Sequence, residues 1–245
     1  MDHSTDELVV ALDADDTLWA NEDNFQQAES EFVDLLNPYC ADRSRQEVSA
    51  RLFEIQRDHL DIYGVGVKCF TLSMVEAATE LSDGAIGTAD INHLLDIGKN
   101  LLRLPVHLLP GVEEAVAALA ENYRLLLVTK GELTHQQAKI DQSGLAHQFE
   151  STHVLARKSA SEYQTLLDAK TIDPANFVMV GNSLKSDVLP VIELGGMGIH
   201  IPYHLLWVAE ETTAPDALDV PTLTELAEVL PYLKALQGPG ERTTS

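Results

Sequence analysis

Four short apolar runs stop abruptly at polar residues, and that punctuation restricts the fold more than any other feature of the chain. Leu8-Val9-Val10-Ala11-Leu12 runs into Asp13, Asp15, Asp16 and Thr17. Leu125 to Val128 ends at Thr129-Lys130-Gly131, and His153 to Leu155 precedes Lys158. Phe177 to Val180 ends at Gly181-Asn182-Ser183, with Asp187 close behind. Short, wholly apolar runs suit strands buried on both faces, as in a parallel sheet covered by helices. In such sheets ligands bind beyond the carboxyl ends of the strands, so all four polar segments can converge on one crevice. The carboxylates crowded after the first run repel one another and lose solvation, and a divalent cation is the simplest positive partner for them.

Between the first and second runs the periodicity is helical. Phe25, Ala28, Phe32 and Leu35 share a face, with Asn37-Pro38 ending that helix. Val48, Leu52, Ile55, His59 and Ile62 form a second stripe, stopped at Gly64 and Gly66. Phe70, Met74, Ala77, Ala78 and Leu81 form a third, and Ile91, Leu94, Leu95, Gly98 and Leu102 a fourth. From Leu109 onward helix and strand alternate, as βαβ units require. Helices are expected at 112–120, near 133–142 closed by Gly144, at 162–169 and at 187–194. Strands are expected at 125–128, near 150–154, up to Val180, and at 199–201. A last helix is expected over 222–230, ended or kinked by Pro231, with QGPGERTTS as a frayed tail. The fold class is therefore α/β: a Rossmann-like parallel sheet with helices on both faces, plus an inserted helical unit. The core comprises residues 1–20 and 105–245, and the insert residues 21–104.

A formal charge of −23 argues against nucleic acid or an anionic membrane as partner, since both call for a cationic footprint. Local charge points the other way: of eight lysines, Lys130, Lys158 and Lys185 lie in the polar segments that follow the runs. Cys40 and Cys69 lack metal-site spacing and read as structural thiols in a reducing cytosol. The N-terminus has no basic stretch before its apolar run, so it does not read as a secretory signal, and no stretch is long enough to span a membrane. A cytoplasmic monomer or homodimer is expected.

In order along the chain, the segments read acid pair, hydroxyl, lysine, acid. That order resembles the haloacid dehalogenase-like (HAD) hydrolase superfamily, most of whose members are Mg2+-dependent phosphatases. Its DxDx(T/V) motif matches Asp13-Ala14-Asp15-Asp16-Thr17, its strand-terminal Thr or Ser matches Thr129, and its lysine matches Lys158. Its GDSxxxD motif matches Gly181-Asn182-Ser183-Leu184-Lys185-Ser186-Asp187, with Asn182 where many relatives carry Asp. The resemblance implies that the insert is a C1 cap, hinged near Trp19 to Glu22 and Leu104 to Pro110, which closes over the site.

It also implies roles. Asp13 attacks phosphorus in line to give an aspartyl-phosphate, and Asp15 protonates the leaving alkoxide and then deprotonates water. Thr129, with the backbone N–H groups of Lys130 and Gly131, cradles phosphoryl oxygens, and Lys158 holds nucleophile and phosphoryl group by charge. Mg2+ takes Asp13, Asp15 with its carbonyl, Asp187 and the amide of Asn182. Asp16 and Thr17 shape the loop. Arg157, His200 and His204 read as surface or loop, and His59 as packing. Tyr63, Lys68 and Phe70 are candidates for contact with a small phosphorylated metabolite. Dehalogenases attack carbon without a metal and lack an acid at the Asp15 position, whereas a phosphomutase or phosphotransferase would share every motif. Response-regulator receivers use a different motif order, and a non-catalytic binding protein on the same scaffold remains an alternative.

Overall fold

Alternation along the strands sorts the apolar residues onto two faces of one sheet. Strands β1 (Val9–Leu12), β2 (Arg124–Lys130), β3 (Ser151–Leu155), β4 (Phe177–Gly181) and β5 (Met197–His200) run parallel in the order β3-β2-β1-β4-β5. Val10, Leu12, Leu125, Leu127, Val178 and Val180 turn to one side, where they pack with α5 (Val112–Ala120) and α9 (Val229–Leu236). Val9, Ala11, Leu126, Val128, Phe177 and Met179 turn to the other. There they meet Tyr163, Leu166 and Leu167 of α7 (Ala160–Lys170) and Val191 of α8 (Leu189–Glu193). This computed structural model describes residues 7–215 and 218–237, so most of the tail read as frayed lies outside the described residues.

Register brings the polar segments level. Leu12 pairs with Leu127 on one side and Val180 on the other, and Asp13 N–H donates to the Val180 carbonyl at 2.9 Å. Asp13, Thr129 and Asn182 therefore emerge at the same end of the sheet. The remaining long helix of this part, α6 (Leu133–Ser143), ends at Gly144 in the left-handed conformation, as its sequence predicts.

Between β1 and α5 lie α1 (Glu22–Leu36), α2 (Arg45–Tyr63), α3 (Val67–Leu81) and α4 (Thr88–Leu101). They bury a separate apolar cluster that includes Phe32, Leu36, Leu52, Phe70, Met74 and Leu94. All four predicted stripes are found, but Ile62 sits 69% exposed at the last turn of α2. The chain leaves and re-enters the sheet-bearing part side by side: Leu109 N–H donates to the Leu18 carbonyl and Ala20 N–H to that of His107. Cys40 and Cys69 are buried and unbridged. Among the described residues no helix is long and apolar enough to cross a membrane.

Two helices differ from the sequence expectation, both because of proline. The helix expected over 187–194 is a wide π-turn, Leu184–Val188, followed by α8. Pro190 lacks the N–H that would bond the Ser186 carbonyl, and the Tyr163 hydroxyl donates to that carbonyl instead, at 3.1 Å. The helix expected over 222–230 begins only at Val229, and Pro231 lies in its first turn, where the missing N–H costs nothing.

Gly198 of β5 lies directly against the π-turn that carries Asp187. A Cβ there would meet Val188 Cα at 2.8 Å and its carbonyl oxygen at 2.9 Å, and backbone cannot rotate aside. Gly198→Ala is expected to lower stability by about 1–3 kcal/mol, read from the denaturant midpoint.

Candidate active site

Beyond the strand ends a cleft of about 1030 Å3, its open mouth included, separates the sheet from the four-helix insert. At its floor Lys158 Nζ donates to Asp13 Oδ1 and, at 2.6 Å, to Asp187 Oδ1. The Lys158 side chain is only 1% exposed and Asp187 equally so. One ammonium thus serves two buried carboxylates. Burial drives Asp13 up to about 7; Lys158 opposes this, while Asp187 and Asp15 add to it. Burial works to lower Lys158, but the two carboxylates outweigh it and hold the ammonium above its ordinary value.

Gly181 is required here by close approach. Asp187 folds back over it to accept the Ser183 N–H at 2.9 Å, and a Cβ on Gly181 would fall 2.2 Å from Asp187 Oδ2. Both Asp187 oxygens are therefore engaged, Oδ1 with Lys158 and Oδ2 with the Ser183 N–H.

A different oxygen set faces outward from Asp13. One end of the Asn182 amide lies 3.3 Å from both Asp13 Oδ2 and the Asp15 carbonyl. Turned with nitrogen inward, it donates to both; turned with oxygen inward, it completes a group of three oxygens beside the Thr17 hydroxyl. Octahedral Mg2+ with ligands at about 2.1 Å spaces adjacent oxygens about 3 Å apart, close to the 3.3 Å that separates Asn182 from each of the other two. Among the described residues no three His, Cys, Asp or Glu side chains form such a group, and the donors here are one carboxylate, one carbonyl and one amide.

Asp15 uses only its carbonyl at that place. Its carboxylate turns away to Lys139 at 2.6 and 2.7 Å, to Trp19 Nε1 at 2.6 Å and to Gln136 Nε2 at 3.1 Å. Burial alone would raise it, but the charge and hydrogen bonds of Lys139, with Trp19 and Gln136, outweigh that and hold it below the ordinary range. Gln136 also donates to Thr129 Oγ1 at 2.8 Å, where the hydroxyl lines the cleft as an acceptor with its own proton still to give. Asp16, at φ 61°, accepts the N–H groups of Asn21 and Glu22 at 2.7 and 3.0 Å, so it ties the loop to the start of α1. Thr17 Oγ1 donates to Asp13 Oδ2 at 3.3 Å.

The expected nest over Lys130 and Gly131 forms only in part. Gly131 N–H donates to the Leu155 carbonyl at 3.1 Å because β2 continues its ladder with β3, so it is not available to phosphate. The Lys130 side chain pairs with Glu210 and donates to Ser186 at 2.9 Å, beneath the Trp207 ring. His200 is half-buried on β5 and bonded to the Asn182 carbonyl at 3.1 Å, a tighter position than the surface expected of it. His59 is buried between Ser73 and Glu76, and His204 pairs with Asp23 at the surface. Arg157 is exposed on Asp61. Of the three contact candidates Phe70 lines the cleft, while Tyr63 is exposed and Lys68 pairs with Glu132 at 2.6 Å.

Lys139, Gln136, Glu210 and Glu22 line the cleft without having been singled out in the sequence. The first two had a signal, polar residues three apart beside Ile140 on the buried face of α6. Glu22 is held up at about 8 by burial first, then by the charges of Asp16, Glu29, Asp23 and Asp15.

The family model for haloacid dehalogenase-like hydrolases matches residues 8–195. A haloacid dehalogenase-like family hydrolase from Xanthomonas campestris is 36% identical over 95% of this chain and 98% of its own, with a TM-score of 0.82. A 2-haloacid dehalogenase from Pseudomonas syringae pv. tomato (21% identity, TM-score 0.61) covers 93% of this chain and 98% of its own. A Bacillus subtilis HAD-hydrolase bound to magnesium (15%, 0.64) has the same two coverages, and these two likenesses show the fold alone. No curated protein matches.

A carboxyl whose pKa is raised on folding keeps a proton that the unfolded chain releases, so stability falls as pH climbs between the two values. For Glu22 that window runs from its ordinary 4.5 to about 8. Thermal melts from about pH 5 to about pH 9 should show the wild-type chain losing stability more steeply than Glu22→Gln.

Proposed function

Because this chain belongs to the haloacid dehalogenase-like hydrolase family, we propose that it is a phosphatase that hydrolyses a small phosphorylated metabolite with Mg2+. The observation that carries the reading is the buried Asp13 at the end of β1, gripped by Lys158 and facing oxygens that fit a divalent ion. Asp13 attacks phosphorus in line, and the aspartyl-phosphate forms on its carboxylate as the alkoxide leaves. Lys158 neutralises nucleophile and phosphoryl oxygens together, and the Thr129 hydroxyl donates to the latter.

Asp13 Oδ2, the Asp15 carbonyl and Asn182 would hold Mg2+, which supplies charge neutralisation for the phosphoryl group. Asp15 separates this chemistry from dehalogenation, since an alkoxide must be protonated and a halide need not. With Lys139 across both oxygens, Asp15 stands in its base form, set to take a proton from the hydrolytic water. The proton given to the leaving oxygen in the first half comes from the same Asp15 and Lys139 pair. Residues 21–104 act as a cap, and their hinges are the paired segments near Trp19 and Leu109. Asp16 transmits cap position to the catalytic loop through its bonds to the first turn of α1.

Phosphate release from a panel of small phosphoesters tests this reading. Turnover should require Mg2+, vanish in EDTA and fall by about 1000-fold or more in Asp13→Asn. Folded protein silent across the panel would refute it. Metal ligation has a separate readout: Asn182→Asp adds a charge to the oxygen set, so saturating Mg2+ should raise its Tm further than that of the wild-type chain, with roughly tenfold tighter apparent binding.

A further inference from the structure

The insert side of the cleft carries acidic side chains that no cation of the protein answers. Each lysine of the cleft is already committed: Lys158 to Asp13 and Asp187, Lys139 to Asp15, Lys130 to Glu210. Glu132 is met by Lys68, and Asp16 by backbone N–H groups. Glu22 and Glu29 remain. They lie seven residues apart on α1, hence on one face two turns from each other, with Phe25 between them. Among the described residues neither carboxylate has a hydrogen-bond or ion-pair partner, and no arginine lines the cleft.

A second observation points to a ligand at the same place. Gln56 of α2 also lines the cleft and is only 8% exposed, and its amide has no hydrogen-bond partner among the described residues. The amide is open to the cleft, so a bound polar group can make hydrogen bonds to it that no protein group makes. Phe25 and Phe70, also in the cleft lining, stand edge to face with ring centroids 5.3 Å apart. Carboxylates, an amide and aromatic rings together make the environment that recognises an ammonium group, through charge, hydrogen bonding and cation–π attraction.

We propose that this is a subsite for a cationic group, so that the phosphoester turned over here carries an ammonium on its leaving group. The inference rests on the phosphatase reading for the phosphoryl end only. A leaving group bearing a carboxylate or second phosphate would meet Glu22 and Glu29 with no free cation to receive it. The net charge of −23 adds to the discrimination, since a zwitterionic ester is repelled less than a purely anionic one.

The test compares aminoalkyl, hydroxyalkyl and carboxyalkyl phosphates of matched chain length, in the wild-type chain and in Glu22→Gln/Glu29→Gln. The aminoalkyl series should exceed the hydroxyalkyl in kcat/KM by roughly tenfold or more, the carboxyalkyl should be poorest, and the amine-to-hydroxyl ratio should collapse toward unity in the double variant. Turnover with equal amine and hydroxyl values, or a ratio that survives the double change, overturns the cationic subsite and leaves the phosphatase reading standing. If no ester of these series turns over, the wider phosphoester panel decides the phosphatase reading and calorimetric binding of the same esters decides the subsite. Tighter aminoalkyl binding, lost in the double variant, supports it; equal binding of amine and hydroxyl overturns it.

Discussion

A single ammonium shared by two buried carboxylates organises this molecule. Lys158 reaches from the segment after β3 to Asp13 at the end of β1 and Asp187 after β4, and so joins three neighbouring strands at one point. Removing it would strand two desolvated acids, a loss of about 3–5 kcal/mol by the general experience with buried pairs. Burial first, and then the neighbouring carboxylates, hold Asp13 high, and a cation placed beside it would offset both. Burial and charge thus act against each other at one carboxylate, whose ionisation depends on Lys158.

The rest of the cleft repeats this economy of charge. Glu210 reaches back from the segment after β5 to Lys130, Ser183 and Ser186, and that places Trp207 over the cleft. Tyr203 and His204 from the same segment meet Asp23 in the first turn of α1. Glu132, just before α6, accepts the Lys68 N–H at the start of α3. The four-helix insert is thus tied to the sheet-bearing part mainly by polar contacts, while its apolar core is its own. Polar ties around a cleft can exchange one at a time, unlike the packed apolar cores on either side of it.

Some of the fold and site was legible residue by residue. The strand runs were readable because strands buried on both faces leave no polar interruptions, and their abrupt polar ends marked the cleft. Asp13, Thr129, Lys158 and Asn182 were visible for that reason. Lys139 and Gln136 were not singled out, although they sit beside Ile140 on a helix face, because helical periodicity was read for apolar residues alone. Gly131 was misjudged because an N–H can serve a ligand or a strand partner, and only the register of β2 with β3 decides which.

Sequence by itself determined the alternation of buried runs and amphipathic stripes, and with it a parallel sheet, a helical insert and an acid-rich crevice, since hydrophobic periodicity acts over neighbouring residues. Tertiary structure alone decided which charges meet. Asp15 gave its carboxylate to Lys139 and its carbonyl to the oxygen set, Asp187 went to Lys158, and Glu22 was left unanswered. Partners far apart in the chain are chosen by where the strands and helices place them, and pairing energies depend on distances of a few ångströms that no local pattern encodes.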